Sequence, residues 1–149
     1  MSSPEALLVT AALIEKEGRY LVAQRPPGDW MEGHWEFPGG KVEPGEDPRR
    51  GLAREVREEL GIEVDVGDIE EVLFHQYPGR AVVLLFFKCL LLDGAPNGLE
   101  GQDLRWASPD EMSKMPFLPA DVPLIARLLK GSRSRVDTHP GEGEHRFMP

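Results

Sequence analysis

The 149-residue chain has a single cysteine, Cys89. An intramolecular disulfide is therefore excluded, which favours a reducing, cytoplasmic setting. Within "FFKCLLL" the thiol reads as a small buried hydrophobe. No apolar run reaches membrane-spanning length. The apolar segment from Ala6 to Ile14 follows no basic residues and is closed by Glu15-Lys16-Glu17, so it reads as a buried strand rather than a secretory signal. Basic charge is scarce: 17 Lys and Arg stand against 26 Asp and Glu, for a net charge of −9. That balance argues against binding a nucleic-acid polymer. A small phosphorylated ligand is still allowed, but acidic side chains facing it need a divalent cation between. The four histidines show no zinc-site spacing with the cysteine.

What is present suits one soluble domain with a real core, 40% hydrophobic and 29% charged. "EALLVTAALIEKEGRYLVAQR" reads as two strands joined at Gly18. Residues 26–34 form a loop, and "WEFPGGKVEPGE" gives short extended pieces punctuated by Pro-Gly-Gly and Pro-Gly. Asp47 followed by Pro48 is a helix start, and Gly61 after Leu60 is a helix stop. Strands are expected at 64–75 and 81–92, the second buried on both faces because "AVVLLFFKCLLL" is nearly continuous in apolar residues. "DLRWAS" is a short strand, 109–114 a short helix, and 122–130 an amphipathic closing helix. Residues 1–130 are expected as the domain, and 131–149, without hydrophobic period and rich in turn formers, as a disordered tail.

The helix beginning at Pro48 carries an apolar stripe of Leu52, Ala53, Val56 and Leu60. Glu55, Glu58 and Glu59 fall at i, i+3 and i+4 and share a neighbouring face. Such like charges repel by a few tenths of a kcal/mol per pair. Either Arg54, Arg57 and solvent offset that repulsion, or the face gathers oxygen ligands for a hard cation such as Mg²⁺. The nearby loop adds Glu43 and Glu46. Spacing alone leaves both readings open.

From Gly40 the chain reads "GKVEPGEDPRRGLAREVREELGI". This resembles the Nudix signature at every defined position: Gly40, Glu46, Arg54-Glu55, the aliphatic Val56, Glu58-Glu59, Gly61 and Ile62. The resemblance implies an α/β (α+β) Nudix fold, a mixed β-sheet sandwiched between α-helices, and hydrolysis of a nucleoside diphosphate linked to another group. It also implies a divalent metal, Mg²⁺ with Mn²⁺ as a substitute. Glu58 and Glu59 are then the principal metal carboxylates, and Glu55 a metal ligand or general base. Gly40 offers a backbone carbonyl to metal, Arg54 orients a catalytic glutamate, and Glu46 braces the loop, with Gly61 a structural member of the motif.

Outside the signature, "VAQRP", "WEFPGGKVEPGE", "YPGR", "EGQDLRW" and "FLPAD" resemble the MutT branch over roughly residues 5–130. That branch splits nucleoside triphosphates, oxidised, methylated or canonical, into monophosphate and pyrophosphate. By this resemblance Arg25 and Arg80 lie near the nucleotide and its phosphate, Phe37 lines the pocket, and Glu100 contributes to metal binding or catalysis. Read as residues only, Arg25 and Arg80 have the alternative of surface cations, Phe37 that of core, and Glu100 that of a solvated loop acid. Asp121 departs from the prototype, which has Asn there. An ionised Asp only accepts hydrogen bonds and suits an exocyclic amine such as cytosine N4, whereas a protonated one also donates. This ending resembles CTP pyrophosphohydrolase-like relatives, and Asp121 also reads as the N-cap of the last helix. Trp30 and Trp35 flank the pocket-forming loop as candidate base-stacking rings, while Trp106 reads as core. The expected partner is a small nucleotide, with no membrane, and the expected assembly a monomer or homodimer. The competing functions are a Nudix hydrolase of a dinucleoside polyphosphate or ADP-ribose, and a silent nucleotide-binding module; the intact set of signature glutamates argues against the latter.

Overall fold

The computed structural model describes residues 5–137, the last five as backbone only. β1 (Leu7–Lys16) and β2 (Arg19–Gln24) form the expected hairpin, followed by β3 (Trp35–Glu36) and β4 (Gly39–Lys41). α1 (Pro48–Leu60) leads to the long β5 (Glu63–Tyr77) and β6 (Arg80–Asp93), then β7 (Leu104–Ala107), α2 (Pro109–Met112), a 3-10 turn (Pro119–Asp121) and α3 (Val122–Asp137).

The strands run in the order β3-β2-β1-β6-β5, with β4 on β1 and β7 on β2. Only β1 and β6 pair in parallel; the other pairs are antiparallel. The edge of β1 turned away from β6 is used twice. Residues 15 and 16 pair with β2, whereas residues 9–11 pair with β4. Between them the Ala12 amide donates to the Pro38 carbonyl at 2.8 Å. β1 and β2 thus splay apart around the Pro-Gly-Gly segment, and that wedge is where the cleft opens.

Period-2 alternation sends neighbouring residues to opposite faces of the sheet. Ala11, Leu13, Val22, Leu84 and Phe86 pack with Met112, Leu124 and Ile125 of α2 and α3. Ala12, Ile14, Leu21, Phe87 and Cys89 pack with Leu52, Val56 and Leu60 of α1. Those three α1 side chains are fully buried, each contributing about 1.5–3 kcal/mol of hydrophobic stabilisation. Both ends of α1 match the sequence reading. The Asp47 side chain accepts the Arg49 amide, and Gly61 adopts a left-handed φ of 69° while donating to the Arg57 carbonyl.

Two expectations are corrected. β6 is not buried on both faces throughout: Leu90 and Leu92 are 63% and 61% exposed. At this end Cys89 and Leu91 pack in the cluster with α1, while Leu90 and Leu92 alternate to the opposite, open face. The closing helix also does not stop at 130 but runs to Asp137. Once a helix is nucleated each further residue adds a hydrogen bond, and a single glycine, Gly131, costs only about 1 kcal/mol against alanine. The rest of the tail lies outside the described residues.

Candidate active site

A cleft of about 440 Å³ lies in the wedge between β1 and β2 and reaches Glu59 on α1 and Asp121 before α3. Five acids, Asp29, Glu36, Glu59, Glu100 and Asp121, line it against three cations, Arg25, Lys41 and Arg80.

One end is built on α1. Glu55 packs against Gly40 so closely that a Cβ there would lie 2.9 Å from the carboxyl carbon. Glu55 is also hydrogen-bonded to Glu59, and burial, that bond and the charges of Glu55, Glu100 and Glu36 push the Glu59 carboxyl up to about 9. The Glu59 carboxyl therefore holds its proton at neutral pH beside Glu55. Arg54 organises the flank. It donates to Glu46 from Nε at 2.9 Å and Nη2 at 3.2 Å, and from Nη1 to Glu58 at 3.1 Å. Its Nη2 also lies 3.6 Å from Glu55. Glu46 accepts the Glu43 amide as well, closing the loop onto the helix. Gly51 makes room for it, since a Cβ there would lie 2.7 Å from the Glu46 carboxyl. Arg57 faces the other way and pairs with Glu63 at 2.7 Å.

The last carbonyls of α1 have no partner within the helix. Here the Asn97 amide donates to the Leu60 carbonyl at 3.0 Å, and the Leu99 amide to that of Glu59 at 3.1 Å. These bonds dock the loop before β7 onto the helix end and bring Glu100 to the cleft beside Glu59.

The other end is built on β3 and the segment before α3. The Trp35 amide donates to the Pro116 carbonyl at 2.8 Å, and the Leu118 amide returns to the Trp35 carbonyl at 2.9 Å. This ladder sets Asp121, 3% exposed, against β3, where its carboxylate accepts the Phe37 amide. Burial, reinforced by the charge of Glu36, raises the Asp121 pKa well above the ordinary carboxylate range. Phe37 is both core and wall: 4% exposed, it packs on Phe86 and Phe117 and still lines the cleft. Tyr77 completes this end, its hydroxyl accepting the Ala120 amide at 3.0 Å.

The two arginines named from the sequence differ. Arg25 Nη1 is committed to both oxygens of Glu36, at 3.0 and 3.1 Å, and its Nε to the Trp30 carbonyl. Arg80 lies 4.9 Å over the Trp30 ring and has no carboxylate partner among the described residues. Trp30 is 42% exposed, standing edge-on to Tyr77 at the mouth of the cleft.

The NUDIX domain model matches residues 9–127. The chain belongs to the Nudix family. It is 44% identical over 117 residues to the CTP pyrophosphohydrolase of Escherichia coli K12, covering 78% of this chain and 87% of that protein. It is 35% identical over 123 residues to the 8-oxo-dGTP diphosphatase of the same organism, covering 82% and 95%. The crystal structure of the MutT protein from Methanosarcina mazei Go1 superposes with a TM-score of 0.77 at 26% identity, covering 88% of this chain and 99% of that one. The mixed sheet between helices is that of the Nudix MutT structures.

Nudix hydrolases generally use a divalent metal, and the donors here are oxygens only, the class that hard cations take. Among the described residues no three carboxylates already converge to enclose an ion. Glu55 and Glu59 are hydrogen-bonded, Gly40 abuts Glu55, Glu100 faces Glu59, and Glu58 is held aside by Arg54. Burial and the neighbouring carboxylates Glu55, Glu100 and Glu36 disfavour the charged form of Glu59, a crowding that a cation would relieve. The residues thus fit the group chemically. No helix among the described residues is long and apolar enough to cross a membrane.

Sequence reasoning missed Glu36 and Lys41. The signal for Glu36 was its place between Trp35 and Phe37 in a strand, where a carboxylate flanked by aromatics needs a buried partner; Arg25 is that partner.

Proposed function

We propose that this Nudix chain hydrolyses nucleoside triphosphates, canonical or damaged, to the monophosphate and pyrophosphate, with Mg²⁺ or Mn²⁺ as cofactor. The observation carrying the reading is that one cleft joins an acidic end on α1 to an apolar, Phe37-lined end closed by Asp121. Both named Escherichia coli relatives act on triphosphates of this kind by name.

Glu55, Glu58, Glu59, Glu100 and the Gly40 carbonyl are the groups assigned to hold the metal. Such an ion neutralises the phosphates and lowers the pKa of bound water. Arg54 acts by holding Glu58 and Glu55 in place from a guanidinium itself clamped to Glu46. Glu55 and Glu58 carry the proton-accepting role. Arg80 and Lys41, which pair with no carboxylate among the described residues, meet the phosphates, while Arg25 serves through Glu36 and the Trp30 loop.

Asp121 reads the base. Burial favours the protonated form of its carboxyl, and that form presents one donor and one acceptor. That pair complements cytosine, whose N4 donates beside the N3 acceptor, and 8-oxoguanine, whose N7–H donates beside O6. It does not complement the two-acceptor edge of guanine, N7 and O6. A cytoplasmic role in clearing the nucleotide pool follows.

The test is a panel of canonical, methylated and oxidised nucleoside triphosphates incubated with Mg²⁺, with pyrophosphate and orthophosphate measured separately. Pyrophosphate is expected, with CTP and 8-oxo-dGTP turned over faster than dGTP. Orthophosphate release, or no metal-dependent turnover of any triphosphate, overturns the proposal.

A further inference from the structure

Glu100 is exposed, and among the described residues its carboxylate makes no hydrogen bond. Where it reaches is therefore decided by how its backbone is anchored. Beyond the Asn97 and Leu99 amides on α1, one side chain ties Glu100 itself to the helix. The half-buried Gln102 accepts the Glu100 amide on Oε1 at 2.9 Å and donates from Nε2 to the Glu59 carbonyl at 3.4 Å. The two contacts fix the orientation of the amide, because one neighbour only donates and the other only accepts. Of the side chains of this length, only an uncharged amide satisfies both at once. A carboxylate has no donor for the carbonyl, an ammonium has no acceptor for the amide, and an apolar chain has neither.

The rest of the loop is shaped around this bridge. Gly101, at φ +83°, turns the chain between Glu100 and Gln102, with its amide on the Gly98 carbonyl at 3.0 Å. A Cβ on Gly98 would collide with the Gln102 carbonyl oxygen. On the far side the Asp103 carbonyl accepts the Gln24 amide at 2.9 Å, holding the loop to β2. Gln102 also lines the cleft with Glu59 and Glu100.

We propose that Gln102 is a positioning residue: its side-chain amide bridges Glu100 to the last turn of α1 and sets the distance between the Glu100 and Glu59 carboxylates. The inference rests on the assignment of Glu100 to the metal site. Partners that orient ligands from outside typically change metal affinity 10–100-fold when removed.

The experiment titrates Mn²⁺ into the full chain and follows free ion by electron paramagnetic resonance, for wild type, Gln102→Met, Glu100→Gln and the double variant. Gln102→Met keeps length and loses both bonds. It is expected to weaken Mn²⁺ binding about tenfold, with melting temperature nearly unchanged and the loss in turnover falling on kcat rather than KM. The double variant is expected to bind no worse than Glu100→Gln, since Gln102 acts through Glu100. Should Gln102→Met disturb the fold, Gln102→Asn, an amide too short to span both partners, is expected to give the same loss. If Glu100→Gln weakens binding and the Gln102 variants do not, the bridge has no positioning role. Additive losses in the double variant overturn it as well. If Glu100→Gln itself binds Mn²⁺ like wild type, the assignment of Glu100 to the metal fails instead.

Discussion

Binding a divalent cation will expel about one proton from this protein at neutral pH. Burial and the neighbouring carboxylates lift Glu59 to about 9, so at pH 7 it keeps its proton. A cation ligated by Glu59 must displace it. With about 1.4 kcal/mol per pKa unit, ionising Glu59 at pH 7 costs about 3 kcal/mol. That cost is subtracted from the intrinsic metal affinity and disappears as pH approaches 9. The apparent Mg²⁺ affinity should therefore climb about tenfold per pH unit above neutrality, the slope for one proton released per ion bound. Isothermal titration of metal-free protein in two buffers of different ionisation enthalpy counts the protons. Glu59→Gln has none to lose there, so its weaker binding should be almost independent of pH. Wild-type affinity that is flat from pH 6.5 to 9, with no proton released, would refute the reasoning.

Gly39→Ala and Gly40→Ala will separate stability from activity. At Gly39 the new methyl meets the Thr10 backbone carbonyl, whereas at Gly40 it meets the end of the Glu55 side chain at about 3 Å. The first should lower thermal stability by the equivalent of about 1–3 kcal/mol or more. The second should melt close to wild type and lose most turnover, because Glu55 must move. A Gly40→Ala variant of normal activity would show that the Glu55 position is immaterial. Asp121→Asn, whose amide also pairs a donor with an acceptor, should keep CTP and 8-oxo-dGTP ahead of dGTP, whereas Asp121→Leu should lose that preference; equal loss on all bases points to a purely structural carboxyl. Its pH dependence has a definite sign. Asp121 holds its proton more tightly folded than unfolded, so stability falls as pH rises above the unfolded carboxyl value. The Asn variant should lose less melting temperature than wild type between pH 5 and 8.

Local chemistry made α1 legible from its residues. Asp47, Pro48 and Gly61 each act within one turn of the chain, and the i, i+3, i+4 glutamates follow from helical spacing. The distribution of those glutamates among partners depended on tertiary contacts. Arg54 takes Glu58 and Glu46, Gly40 seats Glu55, and the Glu59 carbonyl anchors a loop forty residues downstream. Arg25 and Arg80 looked alike in sequence, yet the pairing of β2 with β3 gives one of them Glu36. The apolar run of β6 reads the same whether or not a layer covers it, which is why its exposed end was not foreseen. Likewise, residues 131–137 carry no hydrophobic period, and a helix that propagates past its apolar stripe leaves no mark in the sequence pattern.

The proposed metal-dependent hydrolysis is organised by the carboxylates of α1, including Glu58, whose side chain is 57% exposed and rests on Arg54. The most direct measurement is pyrophosphate release from CTP and 8-oxo-dGTP by wild type and Glu58→Gln side by side, at saturating Mg²⁺, with nucleotide binding measured on both. A loss of about 10²-fold or more in kcat is expected, with nucleotide binding partly retained and the melting temperature unchanged. Wild-type turnover by Glu58→Gln would contradict it.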